Sequence, residues 1–193
     1  MKKDNSLGAT KLHVRNIFLR KYHPQAKVKV LDCCSGQGWI WKNLKRTHPD
    51  KNICLTRLDK KSIPGVIKCD SIRYLKSVQA KDDIYDIDTY GSPVKHIMEL
   101  FKKEPQEATI FLTYGRISKG GFSNATNEEL SIFGLDRWKD ISPRTLLSGA
   151  VVADPVRVIK TLADRNGLNI IELIEGFPIE NNTRYYAMRI KKL

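Results

Sequence analysis

The residues best equipped for chemistry form one run, Tyr85-Asp86-Ile87-Asp88-Thr89-Tyr90-Gly91-Ser92-Pro93. It sets a carboxylate, Asp88, and an aromatic ring, Tyr90, beside the main-chain carbonyls of a turn. An exocyclic amine on a nucleic-acid base is a weak nucleophile, because its lone pair is delocalised into the ring. Acceptors that hold its protons and a ring that stacks the base would orient it for in-line attack on a methyl sulfonium. A plainer reading makes the run a strand-to-helix turn, with Ser92 as N-cap and Pro93 at the first helical position. That accounts for Ser92 and Pro93 but gives Asp88 and Tyr90 nothing to do.

A second run, Leu31-Asp32-Cys33-Cys34-Ser35-Gly36-Gln37-Gly38, joins an acid to a glycine turn that opens a helix. Glycines let the backbone approach a ligand where a Cβ would clash. The dinucleotide fingerprint GxGxxG fails, since position 41 is Trp41, and the Gly-Lys-Ser/Thr of a P-loop is absent. Asp32, Ser35, Gly36 and Gly38 are the expected cofactor contacts here. Asp59 lies 21 residues past Gly38, near the interval of about 20 at which an acid meets ribose hydroxyls. Asp70, followed by Ser71, ends a third strand, where a carboxylate can accept from an adenine amine. Each acid also has an ordinary use as a solvated loop carboxylate or a helix N-cap, and Asp70 ahead of Ser71-Ile72-Arg73 suits the latter.

These runs must be brought together by strands that end on one edge. The patterning supplies them. Helices are expected at Lys11–Tyr22 (stopped by Pro24), Trp39–Arg46, Ile72–Val78, Val94–Lys103, Glu129–Phe133 and Asp154–Arg165. Strands are expected at Val28–Cys33, Asn52–Leu58, Val66–Cys69, Asp83–Asp88, Ala108–Tyr114, Asn169–Glu175 and Arg184–Lys191. The last two are joined without a helix and should pair antiparallel. The whole predicts one α/β domain with helices on both faces of a mostly parallel sheet. Its parts are a basic N-terminal helix (1–26), a cofactor-binding core (27–114), a loop-rich insertion (115–153), and a helix with a closing hairpin (154–193). In the loop Gly115–Glu128, Arg116 and Lys119 between glycines would suit contact with a phosphate backbone.

Seven strands with an antiparallel closing hairpin resemble the Rossmann-like fold of class I methyltransferases. The Asp32–Gly38 turn is similar to that family's D/E-x-G-x-G-x-G, with Cys34 where its first glycine stands. Asp88-Thr89-Tyr90-Gly91-Ser92-Pro93 resembles the D-P-F/Y-G-S-P segment of the tRNA guanine-N2 dimethyltransferases, with Thr89 for its proline. The resemblance runs from about Val28 to Tyr114 and does not extend to that family's C-terminal tRNA-binding domain. It implies S-adenosylmethionine as cofactor. It also implies Asp88 and Tyr90 at the guanine amine, and Gly91 and Ser92 lining the base pocket.

The chain has 193 residues, 34 Lys+Arg and 21 Asp+Glu, a formal charge of +13, and 41% hydrophobic residues. That is enough for one core, and the charge makes a polyanion the first partner to consider. Fifteen of the Lys+Arg and only four of the acids fall in the first 61 residues, so a basic surface is expected on the cofactor-binding half. The resemblance favours RNA over DNA, and with it implies RNA binding and tRNA processing. No run approaches the ~18 apolar residues of a membrane span, and with no apolar run behind Lys2 and Lys3 the opening residues are not expected to act as a secretory leader. Cys33, Cys34, Cys54 and Cys69 lack metal-ligand spacing and read as reduced thiols of a cytoplasmic protein. No metal is expected from the scattered His13, His23, His48 and His96. Trp39 is placed to touch the cofactor and Trp41 to join the core. Thr89 and Cys34 keep open a binding protein with a decayed site. A methyltransferase for DNA, protein amines or small molecules is a further alternative.

Overall fold

The computed structural model describes residues 8–89, 91–115, 127–132, 155–176 and 183–193. Along the chain run α1 (Gly8–Tyr22), β1 (Lys27–Asp32), α2 (Trp39–Thr47), β2 (Asn52–Asp59), β3 (Ile67–Lys68), α3 (Ser71–Ser77) and β4 (Ile84–Ile87). They are followed by α4 (Val94–Phe101), β5 (Glu107–Gly115), α5 (Asn127–Ile132), α6 (Pro155–Arg165), β6 (Leu168–Gly176) and β7 (Thr183–Lys192). The strands form one seven-stranded sheet in the order β3-β2-β1-β4-β5-β7-β6. The first five pair in parallel and β7 runs antiparallel to both β5 and β6. The expected strands and hairpin are therefore present, their ends shifted by at most one residue.

From β1 the chain builds outward to β2 and β3, then returns to add β4 and β5 on the other side. The carboxyl ends of β1 and β4 thus flank a topological switch point, where open α/β sheets form their ligand crevice. Successive side chains of a strand point to opposite faces, and this sorts the core. Val28, Val30, Ile84, Phe111 and Ala187 pack against α1 and α2 through Val14, Phe18, Leu19, Trp41 and Leu44. Leu31, Tyr85, Ile87, Ile110, Leu112 and Met188 face the opposite layer, with Leu75 of α3, Ile97 and Leu100 of α4 and Val158 and Ile159 of α6. Continued by the same alternation, Asp32, Asp86 and Asp88 fall on the α1–α2 face.

The buried stripe of α1 is Lys11, Val14, Arg15, Phe18 and Leu19. Its helical spacing is the usual one for a core-facing side, but two of its members are cations. Close approach to the sheet depends on Gly176 at the end of β6, where a Cβ would meet Thr10 and Val14 methyls at 3.0 and 3.2 Å. In the β6–β7 hairpin a register shift between Ile170 and Glu172 leaves Ile171 facing solvent.

The turn after β4 differs from expectation. Pro93, at φ −82° and ψ 1°, takes the N-cap position of α4, so Val94 opens the helix. Ser92 sits one residue outside, and its Oγ accepts the Val94 N–H at 3.4 Å. Residues 116–126 and 133–154 hold Arg116, Lys119 and most of the expected insertion. They lie outside the described residues, as does Tyr90.

Candidate active site

Asp86 lies on β4, a strand buried along its whole length. A carboxylate there needs compensation, and α1 and α2 provide it. Arg15 donates Nε and a terminal nitrogen to the two Asp86 oxygens at 2.8 and 2.6 Å. Trp41 Nε1 donates to the same group at 2.7 Å. One helical turn earlier, the Lys11 ammonium reaches both oxygens of Asp88 at 2.8 and 2.6 Å and lies 5.1 Å from the centre of the Tyr185 ring. Residues i and i+4 of a helix are about 6 Å apart along its axis, and i and i+2 of a strand about 6.6 Å. The two cations therefore match the two acids rung for rung.

The rungs differ in exposure. The Arg15 and Asp86 side chains are each 3% exposed, whereas Asp88 is 26% exposed above a buried Lys11. Burial pushes the Asp88 carboxyl upward, but Lys11 and then Arg15 outweigh it and hold it below the usual range, with a smaller contribution from the Thr113 hydroxyl. The neighbouring Thr89 Oγ1 is buried and has no hydrogen-bond partner among the described residues. Thr113 pairs in register with Tyr185 across β5 and β7.

Asp32 is the neighbour of Asp86 in the β1–β4 register and is only 4% exposed. It makes no ion pair among the described residues. Burial, then the adjacent Asp86, push its carboxyl up to about 8, and a hydrogen bond from Ser35 lowers it only in part.

The glycine turn wraps over this row. Gly36 and Gly38 sit at φ +49° and +67°, a region that favours glycine. The space a Gly36 Cβ would enter is open, but at Gly38 it would strike the Arg57 guanidinium at 2.6–2.8 Å. Arg57 stands next to Asp32 in the β1–β2 register, yet donates to Ser35 Oγ at 2.6 Å and to the Gly36 carbonyl at 3.0 Å. The tight approach at Gly38 is thus used by the protein's own arginine, which braces the turn. Asp59 accepts the Gly36 N–H at 2.9 Å and the Lys61 N–H at 2.8 Å, locking the turn to the end of β2.

Asp70 is drawn into capping. One oxygen accepts the Arg73 N–H at 3.0 Å at the start of α3 and the other meets Lys60 at 2.9 Å. Together Lys60 and Arg73 hold it down at about 2. Ser71 bonds His96 Nε2 at 2.8 Å and approaches Cys34 Sγ at 3.9 Å. Burial pushes Cys34 up to about 12 and His96 down to about 4, leaving a thiol and a neutral imidazole. The backbone at Gly91, φ +108°, turns the chain away from β4. Trp41 is core, as expected. The Trp39 ring, 51% exposed, packs over Gly8 of α1, where a Cβ would come within 2.5 Å of it.

The structure thus brings together Asp32, Ser35, Gly36, Gly38, Asp59, Asp88 and, through His96 and Cys34, Ser71. Lys11, Arg15, Trp41, Asp86, Arg57 and His96 are additions to the expected set. The spacing Asp86-Ile87-Asp88 carried a signal, since two acids on one face of a buried strand require cations. Lys11 and Arg15 do not belong to the basic surface, whereas Arg20, Lys42, Lys45 and Arg46 are exposed. All four cysteines are free thiols, and the described residues include no group able to hold a metal ion.

No family model matches the sequence, and no curated relative does. Solved structures do match. Trm1 from Pyrococcus horikoshii with S-adenosyl-L-methionine aligns at TM-score 0.60 and 14% identity over 95% of this chain and 55% of that one. M. jannaschii TYW2 in complex with AdoMet aligns at 0.56 and 12%, covering 100% of this chain and 80% of that one. The plantazolicin methyltransferase BpumL, in complex with a triazolic desmethylPZN analog and SAH, aligns at 0.53 and 14%, covering 98% of this chain and 87% of that one. The chain spans little more than half the length of the Trm1 chain. At such identities the likeness is one of fold, and the fold is that of Rossmann-like class I methyltransferases.

Proposed function

We propose that the chain is an S-adenosylmethionine-dependent methyltransferase whose acceptor is an exocyclic amine of a nucleic-acid base, in RNA rather than DNA. One observation carries the reading. The switch-point crevice presents a partly exposed, ionised Asp88 next to a glycine turn locked to Asp59. The remaining residues fit such a cofactor. Open space lies over Gly36, Asp59 stands at the end of β2, and Asp32 is a buried carboxyl with no paired cation among the described residues.

The cofactor, when bound, supplies an electrophilic methyl group on a sulfonium. Gly36 gives its backbone room, Asp59 offers acceptors at the ribose, and Arg57, admitted by Gly38, ties Ser35 to the Gly36 carbonyl and keeps the turn in shape. Asp70 contributes by fixing the first turn of α3, and Ser71 with His96 and Cys34 forms the floor beside it. Asp88 accepts an N–H of the target amine and orients its lone pair. Clamped by Lys11, it is a weak base, so its part is orientation rather than early proton removal. Tyr90 stacks the base, with Gly91 and Ser92 at the pocket wall, and Arg116 and Lys119 serve the phosphate backbone.

The polyanion preference is supported by the exposed Arg20, Lys42, Lys45 and Arg46, for which neutralised phosphates release counterions. The same reading implies tRNA processing in the cytoplasm. No helix among the described residues is long and apolar enough to cross a membrane. The test is transfer of tritiated methyl from S-adenosylmethionine into separate pools of RNA, DNA and protein. Label is expected in RNA, and label confined to protein or small molecules overturns the acceptor class.

A further inference from the structure

Of the three carboxylates in the row at the switch-point crevice, two are ion-paired. Asp32, Asp86 and Asp88 face α1, which sends in Lys11 and Arg15. Each cation is already paired. Arg15 spans both oxygens of Asp86 and turns its other terminal nitrogen to the Lys11 carbonyl at 3.0 Å. Lys11 spans both oxygens of Asp88. The Arg57 guanidinium, beside Asp32 in register, is occupied by Ser35 and the Gly36 carbonyl. Asp32 is left 4% exposed, next to a carboxylate and without a counter-ion among the described residues. A buried acid in that position is neutral until a positive charge arrives.

We infer that Asp32 carries a proton before ligand binds and gives it up when a cationic donor arrives, so that the crevice distinguishes a net monocation from its zwitterionic product. This rests on the S-adenosylmethionine reading above and goes beyond it by making Asp32 a specificity-determining residue that senses ligand charge. S-adenosylmethionine, with a sulfonium, an ammonium and a carboxylate, has one positive charge more than S-adenosylhomocysteine. Replacing the proton by that charge leaves the net charge of the crevice unchanged. When the methyl group leaves, the charge leaves with it, and Asp32 is reprotonated from solvent as the product is held less tightly. The charged and titratable groups around Asp32 are Asp86 of β4 and Asp88 just past it, Arg15 and Lys11 from α1, Arg57 beside it on β2, and Cys33, Cys34 and Ser35 of the turn that follows it. Its high affinity for a proton, at about 8, agrees with this arrangement.

The test is calorimetry on the whole chain at pH 7 in buffers of differing ionisation enthalpy, with S-adenosylmethionine and S-adenosylhomocysteine as probes. Release of most of one proton is expected with the first and distinctly less with the second. The first ligand's affinity should also rise between pH 6 and 7.5, as linkage requires. Asp32→Asn, close in shape and free of the like-charge contact, should bind without proton release and with a flat pH profile. It should also lose most of the preference for the cationic ligand. Binding without proton release overturns the inference, as does equal release with both ligands or unchanged release in Asp32→Asn. Absence of any binding instead removes the cofactor reading itself, a result that is plainly different.

Discussion

Lys11 and Asp88, 77 positions apart in the sequence, meet with the ammonium 2.6 and 2.8 Å from the two carboxylate oxygens. The pair ties the N-terminal helix to the strand end that offers the only partly exposed carboxylate of the row formed by Asp32, Asp86 and Asp88. Lys11→Met should therefore lower methyl transfer far more than it weakens cofactor binding. Loss of orientation at a reacting centre costs on the order of 100-fold, and Lys11→Arg should recover part of it. Wild-type turnover in Lys11→Met would remove Lys11 from any role at the site.

Arg15 and Asp86 form the buried rung. Removing one partner of such a pair leaves an uncompensated charge and costs about 3–5 kcal/mol. Arg15→Met should lower the urea midpoint accordingly, and adding Asp86→Asn should restore part of the loss. If the single variant unfolds at the wild-type midpoint, the pair contributes nothing to stability.

Stability should depend on pH with two opposing slopes. Burial holds His23 and His96 at about 4, against an ordinary value near 6.5. The unfolded chain then binds more protons, so their contribution is whole above pH 6.5 and is lost as pH falls toward 4. Asp32 is raised to about 8 from an ordinary 3.8. The native state binds the extra proton, so its contribution is whole below about 4 and is lost as pH climbs to 8. Melting curves of wild type, His96→Gln and Asp32→Asn separate the two slopes. An unchanged profile in Asp32→Asn would place the proton elsewhere.

The exposed basic residues of α2 should account for part of the salt dependence of RNA binding. Changing Lys42, Lys45 and Arg46 together to Glu should weaken binding of unfractionated tRNA. It should also flatten the plot of log affinity against log salt by about 0.7–0.9 for each phosphate that is no longer neutralised. An identical slope would move the nucleic-acid surface to another face.

Much of this was legible in the sequence, and the exceptions have physical causes. Alternating apolar runs fixed the strands, because each buries one or both faces. Acids at strand ends gave Asp32, Asp59 and Asp88, because the switch point collects strand ends. What composition concealed was direction. Lys11 and Arg15 counted as surface charge since nothing within twenty residues of them is acidic except Asp4 and Asp32. Their partners Asp86 and Asp88 come from the middle of the chain. Asp70 was open to two readings, and the local one is satisfied, since the Arg73 N–H lies within one helical turn. Ser92 and Pro93 were displaced by one position because Pro93 takes up a non-helical ψ.

The two rungs between α1 and β4 also bear on where the folding unit begins. Starting from Lys27, the sheet would still hold its seven strands and most of its apolar contacts. It would also hold two carboxylates at its centre with their counter-ions cut away, and a bare groove over Phe111 and Ala187. Residues 8–22 are thus a structural part of the sheet's interior supplied from outside it. A graft, fusion or shuffled gene segment that divides the chain between Tyr22 and Lys27 would remove both counter-ions together with the buried Val14, Phe18 and Leu19.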